Sequence, residues 1–245
     1  MKQNDACCHT TRRGLLQKTL ALSALAVTGV GGLTLPSLSF GASLTQADRD
    51  RMTPDDVIAH FKEGNLRFRE GRPAPHDYLA QKRSSAAGQF PAAVILSCID
   101  SRAPAEIVLD AGIGETFNAR VAGNISNSDI LGSMEFACAV AGAKLVLVMG
   151  HTACGAVAGA IDGAELGNLT GLLKHIRPAI AKTEYDGARK GSNPEFVDAV
   201  ARMNVALTVD NIRSQSPVLK KLEDEGKIKI TGCMYALNDG QVDFL

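Results

Sequence analysis

The sequence predicts an α/β domain in which a mostly parallel β-sheet is flanked by helices. Two apolar runs, Ala92–Leu96 and Leu145–Met149, are short and contain β-branched residues, as strands buried in a parallel sheet do. Helical patterns of apolar residues lie between and after these runs. The chain has 245 residues, of which 45% are hydrophobic, and this suits one globular domain with a sizeable core. The sequence contains no internal repeat and no sign of a second domain.

Residues 1–42 differ in composition from the rest of the chain and predict a twin-arginine export signal. Arg12 and Arg13 precede a mildly apolar stretch, residues 20–35, which is followed by Pro36 and small residues. This stretch is too short and too weakly hydrophobic for a membrane span, and an uncleaved anchor is the alternative. We therefore expect residues 43–245 to form a periplasmic domain that is free of the membrane after processing.

The charge of the chain argues against a nucleic-acid partner. The full sequence has 26 basic and 26 acidic residues. Residues 1–42 hold four of the basic residues and one acidic residue, so the remainder has 22 and 25, a net charge of −3. There is no basic stripe interleaved with aromatic residues, which nucleic-acid binding would favour. The sequence predicts a soluble, mildly acidic domain.

The other elements follow in order along the chain. Thr53 and Pro54 are typical of a helix start, and the stripe that follows consists of Val57, Ile58, Phe61 and Phe68. Later patterns predict a helix at Ile130–Cys138, a helix at Leu169–Ile180, a helix from Asn193, a strand at Lys227–Leu237, a turn at 238–240 and a last strand at Gln241–Leu245.

Two segments that directly follow the apolar runs carry metal-binding side chains. Residues 98–102 read CIDSR and residues 151–155 read HTACG. In open α/β sheets, sites form beyond the carboxyl ends of the strands, so neighbouring strands would bring the segments together. Cys98 and Asp100 would point to one side of extended backbone, whereas the spacing of His151 and Cys154 suits one turn at the start of a helix. Their thiols, imidazole and carboxylate fit one tetrahedral zinc.

The arginine beside this carboxylate predicts a catalytic rather than a structural zinc. Asp100 can pair with the metal or with Arg102, and this choice closes or opens one coordination position. A structural zinc site has no use for an open position. The remaining cysteines, Cys138 and Cys233, lie in apolar patterns, and we interpret them as buried inert thiols in preference to a disulfide.

On these two motifs, the sequence resembles the β-class carbonic anhydrases from about residue 54 to the C-terminus. The resemblance implies a β-carbonic anhydrase-like fold, an obligate dimer or higher homo-oligomer, and one zinc ion per subunit. It implies that Cys98, His151 and Cys154 bind zinc. Asp100 would be the fourth ligand in a closed state and the partner of Arg102 in an open one. The helix that begins at Thr53 and Pro54, as an N-terminal helical arm, would pack on a partner subunit, with its own sheet as the alternative.

The resemblance also implies a substrate cleft. Gln89, Phe117 and Gly155 fall on cleft positions of the family, whereas Phe136 stands where plant-type members carry a tyrosine. The allosteric subgroup has a tryptophan three residues before the first cysteine ligand, and Ile95 stands there. We therefore expect a plant-type, non-allosteric enzyme whose resting state is not the one closed by aspartate.

The expected reaction is the reversible hydration of CO2 to bicarbonate, with zinc-bound hydroxide as the nucleophile. Asp100 would accept a hydrogen bond from that hydroxide and orient it. The Gly155 N–H and the Gln89 side chain would hold the developing bicarbonate. Two alternatives stay open: a hydrolase of CS2 or COS on the same scaffold, and a non-catalytic periplasmic zinc-binding protein.

Overall fold

The computed structural model of the chain describes residues 41–245. The expected export signal, residues 1–42, lies outside this range except for Gly41 and Ala42. None of the helices within residues 41–245 combines the length and the apolarity that crossing a membrane requires.

The described residues contain ten α-helices and five strands. The helices are α1 Gln46–Arg51, α2 Pro54–Arg69, α3 Tyr78–Ser84, α4 Ala105–Val108, α5 Ser128–Glu135, α6 Gly155–Ile161, α7 Gly167–Leu173, α8 Arg177–Lys182, α9 Pro194–Gln215 and α10 Pro217–Asp224. The strands are β1 Ala93–Ser97, β2 Thr116–Arg120, β3 Leu145–His151, β4 Lys229–Tyr235 and β5 Val242–Phe244.

The strands form one sheet in the order β2-β1-β3-β4-β5, which confirms the predicted fold class. Only β5 runs antiparallel to its neighbour among these strands. Strands β1 and β3 are parallel neighbours, with Ser97 level with Met149. Their carboxyl ends, where the two predicted motifs begin, therefore meet at one edge of the sheet.

The apolar core lies on both faces of this sheet. One face packs against α9, and the shared core includes Val94, Leu96, Val146, Val148, Val200 and Val205. The other face packs against α2, and the shared core includes Ile95, Leu147, Met149, Val57 and Phe61. Alternate residues of β1 and β3 serve opposite faces, as the two-residue period of a strand requires. Helix α2 thus packs on the sheet of its own chain.

Helix α2 begins where its sequence signals predict. The Thr53 hydroxyl accepts a hydrogen bond from the Asp56 N–H at 3.1 Å, and the Asp56 carboxylate accepts one from the Thr53 N–H at 2.8 Å. This reciprocal cap satisfies the backbone N–H groups of Thr53 and Asp56, which would otherwise be unpaired at the start of the helix. Pro54 occupies the first turn, where its missing N–H costs no helical hydrogen bond.

The single helix predicted over Leu169–Ile180 is wrong. Helix α7 ends at Leu173 and α8 begins at Arg177, with a turn at residues 174–176. Pro178 lies in the first turn of α8. Proline is tolerated there but breaks the hydrogen bonds of a continuous helix, which explains the interruption. His175 lies exposed in this turn.

Candidate metal centre

A Cys-His-Cys cluster lies at the shared carboxyl edge of β1 and β3. Cys98 is the first residue after β1, His151 is the last residue of β3, and Cys154 is the N-cap of α6. All three side chains are buried, and their donor atoms lie within 4.8 Å of one another. Donor atoms at such distances can share one metal ion, since zinc binds sulfur at about 2.3 Å and nitrogen at about 2.0–2.1 Å.

One nitrogen of His151 is placed to bind a metal in this cluster. Nδ1 lies 2.9 Å from the Thr152 carbonyl oxygen, so it carries the proton that it donates there. Nε2 is then an acceptor, and it is buried with no hydrogen-bond partner among the described residues. Leaving a buried polar atom unpaired costs about 1–3 kcal/mol. A metal ion bound by Nε2 would remove this cost, so the residues present fit a metal.

The two cluster thiols share a proton when no metal is bound. Their mutual hydrogen bond, aided by the Gly123 N–H, lowers the pKa of Cys98 to about 4 against the opposing effect of burial. The same hydrogen bond and burial raise the pKa of Cys154. One sulfur is therefore a thiolate and the other keeps the proton, which a metal would displace on binding both sulfurs.

Asp100 is held beside the cluster by Arg102. The Arg102 guanidinium donates to both carboxylate oxygens, Nε to Oδ1 at 3.0 Å and Nη2 to Oδ2 at 2.8 Å, and its backbone N–H donates to Oδ1 at 2.9 Å. These bonds hold the pKa of Asp100 well below its usual range. Oδ2 also lies 3.8 Å from His151 Nε2. An ionised carboxylate is thus paired with arginine while it faces His151 Nε2.

The backbone between His151 and Cys154 differs from the predicted helical turn. His151 is still in β3, and Ala153 adopts a φ of 52°. This left-handed conformation is unfavourable for a residue other than glycine. It reverses the chain, so that strand and helix deliver donors to the same point. The Ala153 N–H donates to Asp198 Oδ1 at 2.7 Å, and its carbonyl accepts a 3.4 Å bond from Arg102.

Polar groups outside the motif residues also support the cluster. Arg120, at the end of β2, donates to the carbonyl oxygens of Cys98 at 2.8 Å and Asp100 at 2.6 Å. The Gly123 N–H lies 3.3 Å from Cys98 Sγ, and Asn204 donates to the Gly123 carbonyl at 2.8 Å. Sequence reasoning missed these roles and that of Asp198. For Asn204 the available signal was an amide at a position that the apolar pattern of its helix buries.

The predicted cleft residues occupy different parts of the chain. Gly155 is the exposed first residue of α6, next to Cys154. Phe117 lies on β2 level with Val94, near the amino end of β1, and its ring is 6.1 Å from that of Phe136. Gln89 is exposed in the loop that leads into β1. Strands rise about 3.3 Å per residue, so Gln89, Phe117 and Phe136 lie toward the other edge of the sheet from the cluster of their own chain.

Comparisons with known proteins match the sheet from β1 to the start of β5. Residues 93–242 match the family model described as carbonic anhydrase. Carbonic anhydrase 2 of Mycobacterium tuberculosis is 36% identical over 187 residues, which cover 74% of this chain and 87% of that protein. A carbonic anhydrase of Mycolicibacterium smegmatis is 33% identical over 185 residues, 75% of this chain and 89% of that protein.

Solved structures show a similar fold. The β-carbonic anhydrase CafA of Aspergillus fumigatus superposes with a TM-score of 0.61 and 26% identity, over 78% of this chain and 89% of that chain. One of the tetrameric β-carbonic anhydrases of Sordaria macrospora gives a TM-score of 0.58 with 27% identity, over 65% of this chain and 83% of that chain.

Proposed function

The chain belongs to the β-class carbonic anhydrase family, and from this premise we propose that it is a zinc enzyme that reversibly hydrates CO2 to bicarbonate. The observation that carries the proposal is the pairing of Asp100 with Arg102 beside the Cys-His-Cys cluster. This pairing leaves three donors for the metal and a fourth position for water. One zinc per subunit would be held by Cys98, His151 and Cys154.

The donor set supports zinc over other metals. Thiolates favour soft or borderline metals such as zinc, whereas magnesium and calcium prefer oxygen ligands. The closeness of Asp100 Oδ2 to His151 Nε2, 3.8 Å, agrees with the proposed closed state, in which the carboxylate would leave Arg102 for the metal. Three protein donors and one exchangeable position are typical of a catalytic zinc.

The residues around the fourth position would each have one task in the reaction. Zinc, when bound, supplies a Lewis acid that makes hydroxide available from water near neutral pH. Arg102 keeps Asp100 away from the metal through charge-assisted hydrogen bonds. Asp100 then accepts a hydrogen bond at Oδ2 and orients the attacking oxygen. The Gly155 N–H, at the start of α6, would stabilise the negative charge that develops on the substrate.

A homodimer or higher homo-oligomer would complete the substrate cleft. Gln89, Phe117 and Phe136 lie away from the cluster of their own chain, and 51% of Phe136 is exposed. We propose that they line the cleft of a partner copy, where the phenylalanines would give CO2 an apolar approach and Gln89 would bind bicarbonate. Light scattering of the purified protein tests this, and a monomer with full activity would contradict it.

Within the family we place the chain in the plant-type, non-allosteric subgroup. Ile95, three residues before Cys98, is fully buried in the sheet. The allosteric subgroup has a tryptophan at this position, so the chain differs from that subgroup here. The Asp100–Arg102 pair supports an open resting state. We expect bicarbonate to inhibit the activity only as a reaction product does. Cooperative inhibition by bicarbonate would contradict this assignment.

A stopped-flow assay on the zinc-loaded protein tests the proposed reaction. We expect CO2 hydration well above the uncatalysed rate, with more activity on the alkaline side, because two thiolates leave zinc a weaker acid than three neutral imidazoles would. Parallel assays with CS2 and COS test the alternative that the protein is a hydrolase of one of these compounds. Zinc bound tightly without turnover of any of the three substrates would indicate a non-catalytic zinc-binding protein.

We also propose periplasmic localisation by the twin-arginine route. The support is the sequence of residues 1–42, with Arg12 and Arg13 before an apolar stretch. Folding before export would let zinc bind the thiolates in the reducing cytoplasm, before they meet an oxidising compartment. Replacing both arginines with lysine should trap folded, zinc-loaded protein in the cytoplasm. Normal periplasmic appearance of the double variant would argue against this route.

A further inference from the structure

We propose that Asp198 and Asn204, two residues of α9, are positioning residues of the metal centre. Asp198 holds the turn between His151 and Cys154 through a backbone hydrogen bond. Asn204 holds the backbone of Gly123, whose N–H contacts Cys98 Sγ. Helix α9 would therefore set the separation of Cys98 from His151 and Cys154. The inference rests on the proposed metal centre and goes beyond the residues of the two sequence motifs.

The first contact holds the turn between His151 and Cys154. The Ala153 N–H donates to Asp198 Oδ1 at 2.7 Å. Ala153 is in the left-handed region with a φ of 52°, and such a residue persists only where its surroundings stabilise it. A carboxylate acceptor makes a strong hydrogen bond. Asp198 therefore stabilises the chain reversal that turns both donors toward the metal.

The second contact holds the backbone that faces the other sulfur. Asn204 is 2% exposed and donates its amide to the Gly123 carbonyl at 2.8 Å. The N–H of the same glycine lies 3.3 Å from Cys98 Sγ. Gly123 has a φ of 70°, and an added Cβ would lie 2.6 Å from Ile176 Cδ1. Asn204 thus fixes a glycine whose N–H contacts Cys98 Sγ.

Helix α9 packs closely on the sheet at both contacts. It spans 22 residues, and its buried face packs on the sheet through residues that include Val200, Val205, Val209 and Ile212. At Gly150, the residue before His151, an added Cβ would lie 2.5 Å from Val205 Cγ2. The helix therefore lies directly on the β3 backbone beside the metal centre.

The choice of residues on this face supports a role beyond packing. A buried amide among valines costs free energy unless it is hydrogen-bonded, and an apolar side chain would pack there without that cost. Asn204 obtains its hydrogen bond from the Gly123 carbonyl, and the N–H of the same glycine contacts Cys98 Sγ. Removing a group that supports metal ligands from outside the ligand set typically lowers metal affinity or activity by about 10- to 100-fold.

The experiment measures zinc release from the full chain to a chromophoric chelator at a temperature where every variant is folded. Asp198→Ala should release zinc about 10- to 100-fold faster than wild type, whereas Asp198→Asn, which keeps an oxygen acceptor, should stay near the wild-type rate. The matched control is Asp210→Ala, which removes an exposed aspartate from the same helix. Asn204→Ala is compared with Asn211→Ala in the same way.

The absorption spectrum of the cobalt-substituted protein gives a second readout that does not depend on turnover. Asp198→Ala should alter the bands that report cobalt–thiolate geometry, and Asp198→Asn should restore them. Unchanged release rates and spectra in Asp198→Ala and Asn204→Ala would overturn the proposal, even if thermal stability fell, because the role would then be structural only. Wild-type protein that retains zinc but lacks CO2 hydration would overturn the proposed function and leave this inference standing. Wild-type protein that does not retain zinc would overturn both.

Discussion

The cysteines of residues 41–245 form two pairs with opposite surroundings, although all four are buried and free. Cys98 and Cys154 lie at the carboxyl edge of the sheet beside His151, where a backbone N–H can stabilise a thiolate. Cys138 and Cys233 lie in the apolar core, where burial alone raises the pKa of both thiols, to about 12 for Cys138.

The comparison shows that burial does not by itself decide what a cysteine does. Desolvation favours the neutral thiol at every one of these positions. At the sheet edge, hydrogen-bond donors reverse that preference for one sulfur of the pair. For Cys138 and Cys233 in the core, burial is the cause that shifts the pKa, and no hydrogen-bond donor among the described residues offsets it. The cysteines at the carboxyl ends of the strands are therefore suited to thiolate chemistry, whereas those in the core serve packing.

Replacing a residue of the cluster should have the largest effect and tests the comparison most directly. We expect Cys98→Ser and His151→Ala to lower zinc content to well below one per chain and to abolish CO2 hydration, because only two strong donors remain. Metal analysis of the purified protein measures this. Cys233→Ala, which removes an equally buried thiol from the core, is the control and should keep its zinc. Full zinc content in Cys98→Ser would remove that residue from the metal centre.

Arg102→Ala should abolish activity while the metal stays bound. Without the guanidinium, Asp100 is free to take the fourth coordination position, so water can no longer occupy it. Loss of an orienting group costs about 10- to 100-fold, and displacement of the water should cost more. Stopped-flow CO2 hydration and metal analysis are measured together, with Arg72→Ala, an exposed arginine, as control. A full rate in Arg102→Ala would disprove the aspartate switch while the family assignment stands.

Removing the metal should separate the two pairs by reactivity. A chelator should expose two thiols per folded chain to a colorimetric thiol reagent, Cys98 and Cys154, because the site borders the exposed Arg102 side chain. Cys138 and Cys233 should react only after the protein is unfolded. Mass spectrometry of the labelled peptides identifies the reacting residues. Labelling of Cys233 in folded, metal-free protein would contradict the proposed division.

Removing the sulfur of either core cysteine should have the smallest effect on the protein. Cys138→Ala and Cys233→Ala should each lower the free energy of unfolding by about 1 kcal/mol, because a small cavity replaces the sulfur. Urea denaturation measures the change. The rate of CO2 hydration should match wild type in both variants. A loss of zinc from either one would show that the core pair supports the metal centre.

The strands that carry the site could be predicted from sequence, whereas strand β2 at one side of the sheet could not. Buried β1 and β3 consist of continuous apolar residues, which give a clear pattern. Strand β2 was missed because Thr116–Arg120 is a half-exposed edge strand that mixes polar and apolar residues. Its place in the sheet depends on pairing with β1, which lies far from it in sequence.

The closeness of Cys98, His151 and Cys154 could be predicted from sequence because their motifs lie at the carboxyl ends of two neighbouring strands. The left-handed Ala153 and the contacts of Asp198 and Asn204 could not. They depend on how α9 lies across the sheet, and this is a tertiary property without a local signal. The place of Gln89 at the amino end of β1 likewise depends on topology rather than on its own motif.

The parallel pairing of β1 with β3 also has a consequence for the order of folding events. The segment between these strands contains β2 and α5, so the donors of the cluster are far apart in the unfolded chain. Contacts between distant segments form slowly, because the chain must first close the loop between them. The complete donor set therefore exists only after the two strands have paired. Metal uptake during refolding should report the arrival of the native strand order rather than the first collapse of the chain.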